Sequence, residues 1–526
     1  MTQNSRVQNP PTPYDAVRYP SYTHPQTHPD RLAVIGSLFG LNPAPVTQCR
    51  ALELGCGNGS NLIPMACGLP ESEFVGIDLA AQPIAQGRQT ISELGLTNVK
   101  LLPGSVTEFD AGGGKFDYII AHGLFSWVPA EVREHVLALC RNCLAPQGIA
   151  FISYNAMPGS HLRNMLREMM LFHVRGLESA QERVLQTKAF VKFMVDAQNT
   201  TDEYRLWIKA ELNHVLSHEE GHLYHDELAE ISDPFYFTQF IQQAGVHGLK
   251  YLGEADYFEM FDYGFKESAR ETLKRLGQNR ILREQYLDFL KCRRFRQTLL
   301  CHNEAPAKTE PSPEKIPGFY ISSSAKYSGP ENDLRPGITV AYTTTKAAKC
   351  ATDFPLGKAA LGLLSAIDPH PLPFGELLHT AADTLTRAGI ATENENALAE
   401  MFSAFLLDLY GAGVVEFRTT PPPIARAISE RPVVSPLTRW QVQHGQFVTS
   451  QFHVAVKIED EIGRCLLSSL DGTLDRPALL EKLWQLLKSK NALNIEDNDE
   501  SALRRKVKMD LEQNLEKLTR LGLLVG

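Results

Sequence analysis

The chain has 526 residues, 43% of them hydrophobic, with ordinary glycine and proline usage; it is too long for one core, so two to four domains are expected. With 52 basic against 61 acidic side chains the net charge is near −9, which repels a phosphate backbone and argues against nucleic acid as a partner. No signal-peptide core and no run of the ~18 apolar residues needed to span a membrane is present; nine scattered cysteines make no disulfide framework, so a cytoplasmic protein with reduced thiols is expected.

From residue 49 onward, short apolar runs alternate with helix-like segments, the pattern of a parallel sheet covered by helices. The strands are RALELG, EFVGIDL, VKLLPG, FDYIIAHG and GIAFISYN. Cys140 and Cys143 form a C-x-x-C inside a helical stretch with no second pair, and read as core thiols. Residues of about 157–228 turn long, helical and rich in Met, Arg, Glu and His, which reads as an insertion. The sheet then returns through PFYFTQFIQQAGVHGLKYLGEADYFEM, ending a first domain at 1–262, with a regulatory or middle region over 217–303. In YLDFLKCRRFRQTLLCH, Phe289, Cys292, Phe295 and Leu299 fall at helical intervals and predict an amphipathic packing helix rather than a nucleic-acid contact.

The polar segment 304–316 reads as a linker. Beyond it LLSAID (363–368) recurs as LLSSLD (466–471), each followed by two helices, a Gly and an apolar strand. The repeat predicts two winged-helix-like modules, 317–418 and 434–526. Their second helices carry Glu376, His379, Asp383 and Glu481, which favours protein contacts over DNA. The expected fold class is α/β: a Rossmann-like sheet with a helical insertion, then these two modules.

The chemistry concentrates at ELGCGNG. Gly55, Gly57 and Gly59 stand where strand one turns into a helix beginning near Asn61, and glycines there let backbone approach a ligand. Cys56 and Asn58 share that loop. Asp78, at the end of strand two beside Leu79, can accept both ribose hydroxyls of a nucleoside. Ser60 replaces the third glycine of a dinucleotide fingerprint, so no pyrophosphate is required. Glu53 suits an ammonium, and S-adenosylmethionine has the matching shape. Ser105 and Val106 follow strand three, where Ser105 can hydrogen-bond but carries no charge. His122 at the tip of strand four, with Phe125 and Trp127 behind it, would face the methyl-donor pocket, although the two aromatics could equally pack under the sheet.

With these residues placed, the chain resembles the bacterial protein-lysine methyltransferases of the rickettsial outer-membrane-protein type, which carry a methyltransferase regulatory domain. The likeness runs through YDAVRYPSYTHPQTHPDRLAVIGSLFG, ELGCGNGSNLIPMA, HGLFSWVP, ISYNAMPG, SDPFYFTQFIQQAG and SSLDGTLDRPALL, nearly the whole chain. It implies that Glu53, Gly55, Gly57, Asp78 and His122 line a class I S-adenosylmethionine site capped by Gln26, Thr27 and His28, and that the acceptor is a protein lysine. Ser105 departs from the family's usual acidic residue.

Methyl transfer is an in-line displacement in which the enzyme chiefly positions donor and acceptor and keeps the acceptor neutral. Tyr22, Phe125, Trp127 and Tyr154 are candidate walls of an apolar acceptor channel, with Asn155 orienting the acceptor and His122 beside it; no single residue reads as an obligatory general base. Other readings stay open: a small-molecule or other acceptor, a cofactor-binding scaffold without turnover, and a homodimer. His218-Glu219-Glu220-Gly221-His222 matches the zinc pattern H-E-x-x-H literally, but Gly221 weakens the helix that pattern needs, so no metal site is expected.

Overall fold

The computed structural model describes residues 17–199, 201–329, 331–391, 394–490 and 500–526; Tyr14 to Ala16, the start of the N-terminal segment quoted above, lie outside the described residues. Five strands, β1 (Arg50–Leu54), β2 (Glu73–Asp78), β3 (Val99–Pro103), β4 (Phe116–Ala121) and β5 (Leu144–Asn155), pair in parallel. Helices α1 (Pro29–Leu38), α2 (Leu62–Gly68), α3 (Ala81–Glu93) and α4 (Ala130–Cys143) cover them. Two further strands complete a seven-stranded sheet, β6 (Leu249–Glu254) and β7 (Phe295–His302), in the order β3-β2-β1-β4-β5-β7-β6. The strand order reverses between the parallel neighbours β1 and β4, which opens a ligand crevice at the carboxyl ends of those strands.

Strand β7 corrects the sequence reading. It runs antiparallel between β5 and β6, so the sheet closes well beyond residue 262 and the expected amphipathic helix stops early. Helix α8 (Phe237–Val246) precedes β6, and α9 (Glu267–Leu276) and α10 (Arg280–Lys291) precede β7; α10 ends where Cys292 takes a left-handed conformation, φ 45°. The strand was masked because one of its inward positions is Arg296, a charge where the period of two demands an apolar residue. Arg296 is fully buried and ion-paired to Glu254, Glu284 and Asp288. Arg293 pairs with Glu259 and Asp288, and Arg294 with Glu211. The basic run is spent on internal carboxylates.

The insertion consists of α5 (Ser160–Val174), α6 (Ala180–Asp196) and α7 (Glu203–Leu216), closed on a small core of its own around Leu166, Met170, Val191 and Leu212. The H-E-x-x-H stretch forms a single turn, Glu220–His222, that continues as a π turn to Glu227. Gly221 lies against the N-terminal strap, where a Cβ would come 2.4 Å from the Arg18 carbonyl. Among the described residues no group of three or more His, Cys, Asp or Glu is placed to hold a metal ion.

The segment 304–316 is not a free spacer. Its backbone N–H groups at Lys308 and Ser312 donate to Phe39 and Leu38 at the end of α1, each at 2.7 Å, and Ile316 is fully buried. The segment runs into a short 3-10 helix, Pro313–Gly318; polar composition could not show that α1 supplies acceptors for its backbone. One core therefore runs from the sheet into the first module, where Tyr257 stacks on Tyr410 at 4.7 Å and Tyr410 on Phe417 at 4.5 Å.

The two C-terminal modules repeat one plan. In the first, β8 (Tyr320–Ser322) and a small meander, β9 (Lys326–Tyr327), β10 (Val340–Thr343) and β11 (Lys349–Thr352), precede α11 (Pro355–Ile367), β12 (Leu372–Pro373), α12 (Phe374–Arg387), α13 (Glu395–Gly411) and β13 (Glu416–Arg418). In the second, α14 (Pro436–His444) and a hairpin, β14 (Phe447–Thr449) with β15 (Ala455–Lys457), precede α15 (Glu461–Ser469), α16 (Arg476–Ser489) and α17 (Glu500–Arg520). LLSAID and LLSSLD end α11 and α15. The second module keeps a separate core around Trp484, Leu467 and Leu515. No described helix is long and apolar enough to cross a membrane.

Candidate active site

The glycine corner is pinned to the neighbouring strand. Gly55 N and Cys56 N donate to the Ile77 carbonyl at 2.8 and 3.1 Å, and Gly57 N donates to Asp78 Oδ2 at 2.8 Å. Asp78 Oδ1 accepts from Ala80 N at 2.8 Å. Each oxygen of a carboxylate can accept more than one hydrogen bond, a chemistry that suits ribose hydroxyls. Gly57 is left-handed, φ 54°, and a Cβ there would meet nothing within 4 Å; the space beside it is open to a ligand. Asn58 folds back, its Oδ1 accepting from Ser60 N and Oγ. Its carbonyl lies 2.3 Å from where a Cβ on Gly87 would sit, so Gly87 of α3, absent from the sequence reading, is what lets the loop close down. The Cys56 side chain turns inward, burial pushing its thiol well up.

Glu53, buried at the end of β1, accepts from Asn61 Nδ2 at 2.7 Å through Oε1, while Oε2 is buried without a partner. Burial raises its pKa to about 8, with Asn61 pulling down and Asp78 pushing up. An orphaned, buried carboxylate oxygen beside an open, glycine-lined space fits the ammonium end of S-adenosylmethionine.

The N-terminal strap closes the same corner. His24 N and Thr27 Oγ1 donate to Asn61 Oδ1 at 3.0 and 3.3 Å. His28 instead caps α1, its Nδ1 accepting from Asp30 N, and Gln26 reaches Asp256 at 3.5 Å. The strap is itself gripped by the insertion, His225 Nε2 donating to the Val17 carbonyl at 2.7 Å and Tyr22 donating to Glu219.

His122 stands at the tip of β4 with its ring 3.9 Å from His24, 5.8 Å from Phe151 and 6.1 Å from Phe295. Its Nδ1 is buried without a partner, and burial holds the ring neutral, well below pKa 6.5; His24 is held at about 4 for the same reason. Phe295 pairs with Asn155 across β5 and β7 and is part-exposed, so it joins His122 at the mouth of the site.

Several expected walls are elsewhere. Tyr154 is 1% exposed and stacks on Phe240 at 4.2 Å, and Phe125 lies fully buried against Phe235 and Phe240; both pack under α8, because Tyr154 alternates with Ser153 and Asn155 along β5 and so takes the opposite face. Trp127 turns toward the insertion, with the Arg163 guanidinium 5.9 Å from its ring. Tyr22 faces Glu219 and Phe447. Asn155 is buried on the His122 side, its backbone N–H donating to Ser126 Oγ at 2.9 Å. At the far side of the corner, Leu79 is 48% exposed, Ser105 caps the turn Val106–Glu108, and Val106 is buried in the core.

Asn61, His24, Phe295 and His453 belong to this site although sequence reasoning assigned them no role there. Asn61 follows the glycines and His24 sits two residues before Gln26, so both were near the signal. Phe295 was hidden by the mistaken helix, and His453 lies 392 positions from its partner Asn61.

Comparison with known proteins fits this geometry. A methyltransferase-domain model matches residues 51–148, a predicted methyltransferase regulatory domain 219–302, and a PKMT C-terminal winged helix domain 430–523. Uncharacterized protein RP789 of Rickettsia prowazekii is 30% identical over 98% of this chain and 94% of its own length. Uncharacterized protein sll1526 of Synechocystis is 23% identical over 69% of this chain and 70% of its own. The solved structure of PKMT2 from Rickettsia typhi in complex with AdoHcy superposes with a TM-score of 0.85 at 29% identity, covering 97% of this chain and 100% of that one. The chain therefore belongs to the class I S-adenosylmethionine-dependent methyltransferases that carry a methyltransferase regulatory domain and a PKMT-type C-terminal winged helix, and S-adenosylmethionine is its cofactor.

Proposed function

We propose that the protein N-methylates lysine side chains of a protein substrate. The observation that carries this reading is the end-to-end likeness to PKMT2, a protein-lysine methyltransferase by its name, which includes the regulatory and winged-helix regions and not the sheet alone. In this account Glu53 takes the ammonium of the cofactor, Asp78 the ribose, and Leu79, Ser105 and the backbone at Val106 the adenine side, with Thr27 and His24 closing the corner through Asn61. S-adenosylmethionine supplies a methyl group activated by its sulfonium. The remaining work falls to the chain. A lysine at pKa ~10.4 loses its proton at pH 7 only at about 4.6 kcal/mol, and the mouth formed by His24, His122 and Phe295 offers a dry wall with neutral imidazoles that lowers this cost. The unpartnered His122 Nδ1 can accept a hydrogen bond from the neutral amine and orient its lone pair; a ring held so far below pKa 6.5 is a poor base. Asn155 lies on the same side.

Exposed Phe172, Leu185, Phe193, Tyr204, Leu206 and Trp207 all belong to the insertion, which supports a homodimer formed through it. The acceptor is tested by incubating purified protein with methyl-labelled cofactor and a bacterial lysate. Label stable to esterase and nuclease and recovered as methyl-lysine after acid hydrolysis is expected; label on small molecules or nucleic acid, or no transfer at all, would contradict the proposal.

A further inference from the structure

The second winged-helix module has its own core, yet it sends one side chain into the cofactor corner. His453, in the turn between β14 and β15, is left-handed at φ 60° and 5% exposed, and its Nε2 lies 2.9 Å from Asn61 Oδ1. A non-glycine residue held left-handed is disfavoured and persists where surrounding contacts impose it. The amide of Asn61 has one orientation. The His24 backbone N–H can only donate, which places Oδ1 toward it at 3.0 Å and Nδ2 toward Glu53 at 2.7 Å. His453 must then donate from Nε2, which fixes its tautomer.

We propose that His453 is a positioning residue for cofactor binding: through Asn61 it holds the Glu53 carboxyl and the 24–28 strap in the arrangement that receives the ammonium end of the methyl donor, so the C-terminal winged helix is part of the cofactor site. This rests on the reading of Glu53 given above. Two further contacts of the module converge on the same end of the sheet: the ring of Phe447 lies 4.8 Å from Tyr22, and the ring of His28 lies 5.2 Å from His453. A third, Trp440 Nε1 donating to Glu93 Oε2 at 2.6 Å, joins the module to the last residue of α3, which has no hydrogen bond to Asn61 or Glu53 among those described.

The charges around the relay suit the role. Burial keeps His453 neutral, well below pKa 6.5, and holds His24 and His28 at about 4, so no imidazolium competes with the ligand for Glu53. Burial is the main cause that pushes the Glu53 pKa up; Asn61, which His453 orients, pulls it down, and Asp78 of β2 adds a smaller upward push.

The test is calorimetric binding of S-adenosylhomocysteine, which carries the same ammonium, to the full-length protein and four variants. His453→Ala should weaken binding about tenfold, since it leaves a buried acceptor short of a donor, raise the KM for S-adenosylmethionine with kcat at saturation kept, and move the pH midpoint of binding upward. His453→Gln, which restores an N–H donor, should recover most of the affinity. Trp440→Phe, which removes the hydrogen bond to Glu93 on α3, should stay within twofold of wild type, and Glu53→Gln should lose binding outright. Wild-type affinity and pH midpoint in both His453 variants, with Glu53→Gln impaired, would overturn the role of His453 and leave Glu53 standing. Unimpaired Glu53→Gln would remove the reading of Glu53 and the proposal together. Equal losses in Trp440→Phe and His453→Ala, or failure of Gln to rescue, would reduce the effect to general docking and also overturn it.

Discussion

At the scale of single residues, the carboxyl of Glu53 sets a pH dependence. Burial raises its pKa to about 8, so below that value the empty site carries a proton there and offers an ammonium no charge. Cofactor affinity should rise by up to about tenfold per pH unit from pH 6 toward 8, followed by calorimetry with S-adenosylhomocysteine; a flat profile would contradict the assignment. Linkage gives a second sign. The folded protein binds this proton more tightly than the unfolded chain, so the empty protein loses stability as pH rises from about 4.5 to about 8, and the melting-temperature gain from cofactor should be larger at pH 8 than at pH 6. Gly57 separates fold from function in another way. Alanine there pays about 1–2 kcal/mol for the left-handed backbone but clashes with nothing in the protein, so Gly57→Ala should lower the melting temperature modestly while cutting cofactor binding far more steeply.

At the scale of elements, β7 shows both the reach and the limit of sequence reading. The five parallel strands were legible because their apolar runs and glycine-bearing connections repeat a simple rhythm, and the cofactor corner because glycines and Asp78 must stand where they do. Strand β7 was not, because its pattern is broken by Arg296, whose partners Glu254, Glu284 and Asp288 come from β6 and α10 and are invisible until the chain folds. Tyr154 failed for a related reason: whether an aromatic on β5 lines the site or the core depends on one residue of register. The charge cluster yields its own prediction. Arg296→Met takes the guanidinium from buried Glu254 and leaves Asp288 with Arg293 alone, and should cost about 3–5 kcal/mol of unfolding free energy in urea titration. Asp288, pushed up to about 6 chiefly by burial, adds that this part of the fold weakens as pH rises from about 4 to about 6.

At the scale of the molecule, the chain is less divided than its composition suggests. Segment 304–316 is tied to α1, and the first module shares the core of the sheet; the second module keeps its own core and meets the rest through a few polar and aromatic contacts. The insertion, with its exposed aromatics, is the surface on which a second copy would sit. Light scattering on the purified protein should give twice the chain mass, and Phe193→Glu with Trp207→Glu should give the single-chain mass with cofactor binding retained. The central claim, lysine methylation of a protein, is tested most directly by comparing the methylated proteins of the host strain with those of a strain lacking this gene. The account predicts at least one protein whose methyl-lysine disappears in the deletion and returns on complementation with wild type but not with Asp78→Ala. Identical lysine methylation in both strains, with a difference confined to nucleic acid or small molecules, would contradict it.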